Sequence, residues 1–172
     1  FLDSAHAVVC ATRREYEKLA HLVPAVRPAI LPWPLDDDDF RVRNEDSRRN
    51  VRRRLGIPDD SLVVLYLGRL NPMKRPLETI SAFADGAPPT AHLLIVGNEF
   101  GVTQQACVDA AKAKCIADRV HVTGPAYADD RAAYLDTADV YVSLSHRENF
   151  NFTAAEALAA GLPVILSPGN DL

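Results

Sequence analysis

A doubly wound α/β fold with a parallel sheet follows from three features of the chain. Short, continuous apolar segments recur from Leu62 onward, each followed by a helical segment, the pattern of strands buried on both faces. Most of these strands run into Gly or Ser, at Gly68, Gly97, Gly124 and Ser145, where such sheets place their ligand loops. The 172 residues are 48% hydrophobic and 24% charged, enough for one sizeable core and part of a second.

The elements follow in order. Ala7 to Cys10 have the character of a strand end, and Thr12 with Glu15 three residues on forms a capping-box pattern for a helix to about Leu22. Pro24, Pro28, Pro32 and Pro34 exclude regular helix, so a linker or edge-strand crossing follows, and the domain boundary is placed there. Residues 1–35 are read as the end of an amino-terminal domain plus this linker, and residues 36–172 as a second domain, incomplete at its end. The chain opens at Phe1 with no signal-peptide pattern, as a piece cut from a longer protein would.

Asp36 to Asp39 form an acidic run that caps or solvates. Seven arginines then fall between Arg41 and Arg54. This second run suits a solvated helix with Val51 and Leu55 turned inward, ended by Gly56 and Pro58; the alternative is a basic patch for anionic lipid or nucleic acid. Beyond it, strands are expected over Leu62–Leu67, His92–Val96, Val120–Thr123, Val140–Leu144 and Pro163–Leu166. Helices are expected over Pro76–Phe83, Thr103–Cys115, Asp130–Thr137 and Phe152–Ala160.

Composition narrows the function classes. A formal charge of −4 and a pI near 5.7 argue against a general nucleic-acid binder. No apolar run approaches the roughly 20 residues of a membrane-spanning helix, so any membrane contact would be peripheral. Cys10, Cys107 and Cys115 lack CxxC or Cys/His metal spacing, which fits reduced thiols in a cytoplasmic setting. His6, His21, His92 and His121 show no metal-site spacing either.

Two loops carry the chemistry. After the first strand of the second domain, Gly68 permits a sharp turn, and Arg69 and Lys74 present a planar fork and a point charge that together suit a diphosphate. After the fourth, the segment Ser143 to Phe152 leads into a helix whose first N–H groups, around Asn149 to Thr153, form an anion site. Glu148 precedes that helix, and Glu156 lies about one turn inside it among Ala and Leu. A carboxylate there is costly unless paired, so a hydroxyl donor such as a ribose is its expected partner, a buried capping or salt-bridged role being the alternative. His146, beside Arg147, is read as a loop residue rather than a general base.

These residues, with Val96-Gly97, Val120 to Gly124, Ala138-Asp139-Val140 and Gly161 to Ile165, resemble the carboxyl-terminal domain of a family 4 glycosyltransferase, a retaining enzyme of the GT-B fold whose half is Rossmann-like. The likeness runs from about Ala7 to Asn170. It implies catalytic roles for Arg69 and Lys74, which would clamp the donor diphosphate, and for Glu148, which would contact the donor sugar. Glu156 would hold the ribose. Gly68, Gly97, Thr123 and Gly124 would surround the nucleotide, and backbone N–H groups of Asn149, Phe150 and Asn151 would meet sugar hydroxyls or phosphate.

The resemblance further implies transfer of a hexosyl group from a nucleotide diphosphate sugar to the hydroxyl of a sugar, polysaccharide or lipid-linked acceptor. No cofactor and no metal are implied, because the two cations and the helix terminus supply the positive charge. This piece alone would bind donor without turnover. Asn149 and Asn151 stand where family members often carry glycine, which keeps a non-catalytic sugar-nucleotide or interaction module as the alternative. A nicotinamide-dependent oxidoreductase is disfavoured, since no GxGxxG follows a strand.

Overall fold

The computed structural model describes residues 5–25, 27–35 and 42–170. Asp36 to Asp39 and Arg41 lie outside the described residues. Strand β1 (Val8–Cys10), helix α1 (Arg13–Leu22) and strand β2 (Pro28–Ile30) come first, and β1 and β2 pair in parallel. The capping pattern forms: Thr12 Oγ1 accepts from the Glu15 N–H, and Glu15 Oε2 reaches back to the Ala11 N–H at 2.7 Å. The proline-rich segment therefore supplies an edge strand on its way across, in β2.

Helix α2 (Glu45–Leu55) leads to β3 (Val63–Leu67), α3 (Pro76–Gly86), β4 (His92–Val96), α4 (Gln104–Ala113) and β5 (Val120–Gly124). Then come α5 (Ala128–Thr137), β6 (Val140–Ser143), α6 (Phe152–Ala159) and β7 (Val164–Leu166). All five strands from β3 onward are parallel, in the spatial order β5-β4-β3-β6-β7. The winding runs outward from β3 through β4 to β5, then crosses back to β6. The crevice between the carboxyl ends of β3 and β6 is thus the topological switch point.

Alternation along the strands makes two cores. Val63, Leu65, Leu67, Leu94 and Val96 face one way, against Val51 of α2, Leu135 of α5 and Ala154 and Ala157 of α6. Tyr66, Leu93 and Ile95 face the other way, against Ile80 and Phe83 of α3 and Cys107 and Ala111 of α4. Both faces of the sheet are covered, which is why these strands lack polar alternation.

Element ends have local causes. Helix α4 stops two residues short of the expected Cys115 because Cys115 adopts a left-handed φ of 56° and Ile116 N–H folds back to the Ala111 carbonyl. Helix α6 stops before Gly161 (φ 77°), whose N–H bonds the Leu158 carbonyl.

The arginine-rich helix departs from the expectation of a solvated face. Val51 and Leu55 do turn inward, and Gly56 is the left-handed cap. Arg52, however, is only 1% exposed. Its Nη1 donates to the carbonyls of Pro58, Asp59 and Ser61 at 2.9–3.0 Å, and its Nη2 to Asp139 at 3.0 Å. Arg48 Nη2 donates to the same carboxylate at 2.8 Å, while its Nη1 caps α5 at the Thr137 carbonyl. The Val63 N–H completes the set at 2.8 Å. Burial and neighbouring Arg48 pull the Arg52 pKa below the usual arginine range, and Asp139 opposes them.

Candidate functional site

The loop after β3 is built by Asn71, which is buried. Its side-chain oxygen accepts from the Lys74 N–H at 2.7 Å, and its carbonyl accepts from the N–H groups of Lys74 and Arg75. This turn aims Lys74 across the switch point. Asn-Pro at 71–72 is a turn signal legible in the sequence, though the charged residues on either side of it are more conspicuous. Arg75 then opens α3 with a left-handed φ of 57°, directly before Pro76 at the first helical position.

Gly97 is needed for a different reason. A Cβ there would lie 1.8 Å from the Gly68 carbonyl oxygen, so the loops after β3 and β4 touch backbone to backbone.

The loop after β6 is fixed by a polar network. Asn151 is fully buried and caps α6: its Oδ1 accepts from the Ala154 N–H and the Thr153 hydroxyl. Its Nδ2 donates to Ser143 Oγ and to Asn170 Oδ1 at 2.6 Å. Asn170 in turn donates to the carbonyls of Ser143 and Ser167. Glu148 N–H bonds the Gly169 carbonyl, and His146 N–H bonds the Met73 carbonyl, joining this loop to the one after β3. His146 is exposed. Neither Asn149 nor Asn151 uses a left-handed φ, so the missing glycine freedom is not called upon at either position.

A cleft of about 430 Å³ opens at the switch point. Gly68, Arg69, Lys74, Gly97, Glu148 and Phe150 line it, together with Arg131 of α5. Lys74 Nζ lies 2.6 Å from Glu148 Oε1. The contact lies outside hydrogen-bond geometry, and this oxygen, on a side chain only 11% exposed, has no other partner among the described residues. Glu156 pairs with Arg131. Arg69 lies over the Phe100 ring at 5.0 Å, and its carbonyl accepts from the Tyr66 hydroxyl, whose pKa burial pushes up.

Of the remaining expected residues, Thr123 and Gly124 end β5 behind the cleft, with Gly124 against the Gln104 side chain. Asn149 is exposed and faces the amino-terminal segment, in a groove with Leu31 and Trp33. Asn151 spends its side chain inside the fold. Among the described residues, no hydrogen bond is made by the backbone N–H groups of Asn149, Phe150 and Asn151, which remain available at the α6 terminus. Arg131 had no local sequence signal, because its partner is 25 positions away.

The profile of the family "Glycosyl transferases group 1" matches residues 47–171. The chain belongs to this family. A group 1 glycosyltransferase relative from Xylanimonas cellulosilytica, a D-inositol 3-phosphate glycosyltransferase, is 33% identical over 169 residues, 94% of this chain and 40% of its own length. One from Acidothermus cellulolyticus is 34% identical over 171 residues, 94% of this chain and 38% of its own. The chain thus spans about two fifths of these relatives.

Among solved structures, sucrose-phosphate synthase from Thermosynechococcus elongatus superposes with a TM-score of 0.84 at 28% identity, over 98% of this chain and 42% of that one. HepE from Anabaena, in complex with UDP and glucose, gives 0.82 at 20% identity over 96% and 45%. The domain is one half of a GT-B glycosyltransferase architecture, as the sequence resemblance implied.

Proposed function

We propose that this chain provides the donor half of a retaining glycosyltransferase that moves a hexosyl group from a nucleotide diphosphate sugar to an acceptor hydroxyl. The observation that carries this reading is the convergence of Arg69, Lys74, Glu148 and the α6 terminus on one cleft at the switch point. In that arrangement Lys74 and Arg69 take the diphosphate, and the free N–H groups at the start of α6 add to the positive field where negative charge grows on the leaving group. Glu148, which lines the cleft beside Lys74, receives donor-sugar hydroxyls. The same fixed cations take the place a metal holds in other transferases.

In this reading residues 1–35 are the end of an amino-terminal domain that brings the acceptor to the cleft. The Trp33 ring lies tilted 5.8 Å from that of Phe152, and Phe152 meets Phe150 edge-on at 4.9 Å, an aromatic bridge between Trp33 and the cleft. Turnover requires the amino-terminal half.

Thermal shift with UDP, GDP, ADP and their sugar conjugates tests the site, since ligand at about 100 times its Kd adds roughly 2.7 kcal/mol. UDP comes first, because HepE holds it on the same fold. Lys74→Ala and Glu156→Ala are each expected to weaken nucleotide diphosphate binding more than about tenfold. Unchanged affinity in both variants would refute the assignment.

A further inference from the structure

We propose that the groove between α1 and the loop after β6 binds a phosphoryl group carried by the acceptor. The inference rests on the donor-site reading and extends it, because that reading leaves the chemical class of the acceptor open.

The groove is a hollow of about 220 Å³ whose charged lining residues are Arg14, Glu15 and Lys18 of α1 and Arg147 and Glu148 of the loop after β6. Arg14 and Lys18 stand four positions apart on the helix and so share a face. Both carboxylates are already committed: Glu15 Oε2 accepts from the Ala11 N–H, and Glu148 pairs with Lys74. The three cations are not. Among the described residues none of them forms an ion pair; Arg14 makes one hydrogen bond, at 3.5 Å to the Pro168 carbonyl, and Lys18 and Arg147 make none. Three like charges thus converge on one space without a counter-charge, an arrangement that repels itself until an anion enters.

Position decides which anion this is. Glu148 lines both this groove and the donor cleft, so the two spaces share a wall. The donor diphosphate is assigned to Arg69 and Lys74, neither of which lines the groove. A second anion beside the donor sugar therefore belongs to the other substrate. Its type follows from the donor set. Two planar forks and one ammonium, brought from two separate segments, match a tetrahedral group with three free oxygens and nearly two charges, whereas a single fork satisfies a carboxylate. Anchored by that group, an acceptor presents a neighbouring hydroxyl across Glu148 to the donor sugar, the orientation that transfer requires.

The test titrates the full chain, saturated with UDP to fill the diphosphate clamp, with glucose 6-phosphate, glucose and glucuronate, and measures UDP binding in parallel. Glucose 6-phosphate is expected to bind at least about tenfold more tightly than glucose, with a preference that shrinks as salt rises. The double change Arg14→Gln with Lys18→Gln should cut that preference to less than about threefold, as should Arg147→Gln, with UDP affinity and melting temperature unchanged in both. Lys74→Ala should do the reverse, losing UDP and keeping the sugar phosphate. Retention on phosphatidylcholine vesicles that contain phosphatidic acid, lost in the same groove variants, would place the phosphate on a lipid acceptor and supports the site equally. A chain that binds UDP but favours neither phosphorylated probe over its neutral counterpart overturns this proposal and leaves the donor site standing. Glucuronate binding as tight as that of glucose 6-phosphate overturns the phosphoryl assignment. A phosphate preference that survives in the folded groove variants places the anion elsewhere and overturns the groove. A wild type that does not bind UDP removes the donor-site reading itself, and the acceptor role with it.

Discussion

The cluster on Asp139 and the ion pairs of the cleft use the same chemical groups to opposite ends. On Asp139, Arg48, Arg52 and a backbone N–H donate to the carboxylate with Arg43 3.8 Å away, and most other donors of Arg48 and Arg52 reach carbonyls at the end of α5 and in the turn after α2, Arg52 Nε excepted. In the cleft, among the described residues, Lys74 pairs with Glu148 alone and Arg131 with Glu156 alone, each cation with donors to spare. A charged group that spends most of its hydrogen-bonding capacity inside the molecule belongs to the fold. One with capacity left over, facing a cleft, is equipped for a ligand.

Arg52→Ala should break this contrast most violently. It leaves Asp139 with Arg43 and Arg48 alone and takes a donor from the carbonyls of Pro58, Asp59, Ser61 and Thr137, a loss of about 3–5 kcal/mol in a urea unfolding curve. A loss under about 1 kcal/mol would mean that the cluster is ornamental. Asn151→Ala comes next. Removing the cap of α6 and its bonds to Ser143 and Asn170 should cost about 1–2 kcal/mol by the same measurement.

The cleft should behave differently. The double change Lys74→Met with Glu148→Gln removes both charges together, so stability should move by less than about 1 kcal/mol. Nucleotide binding should nevertheless disappear from the thermal-shift panel. A large stability loss would place this pair with Asp139 as scaffolding.

The smallest effect concerns pH and the opposite end of the sheet. His92 Nδ1 and His121 Nε2 lie 3.0 Å apart, their rings stacked. Burial lowers both pKa values, reinforced by Arg119 at His92 and by His92 at His121, with Asp118 opposing. The folded state therefore binds fewer protons than the unfolded chain, whose histidines titrate near about 6.5. Stability should be full above that pH and decline as pH falls below it, and His121→Gln should flatten the decline in melts taken from about pH 7 to about pH 5.

Much of the scaffold could be read from the residues because its causes are local. Apolar runs gave the strands, Thr12 and Gly56 marked helix ends, and Glu156 in an alanine-rich helix called for a partner. What escaped was pairing at a distance. Arg52 looked like any member of a basic run, yet its carbonyl partners lie at a turn and its carboxylate on a different element. His92 and His121 met only because β4 and β5 are neighbours. Arg131 supplied the partner that Glu156 required, and nothing within a helical turn announced it.

The tie between Asn151 and Asn170 has a bearing on synthesis. Residues 145–151 take their final form only when Ser167, Gly169 and Asn170 are in place, since these hold Ser145, Glu148 and Asn151. On a ribosome, β3 to β6 can pair while the cleft loop still lacks its clasp. Binding competence therefore arrives after the sheet that carries it, and a nascent chain released before Asn170 would fold its strands around a loop still waiting to be fastened.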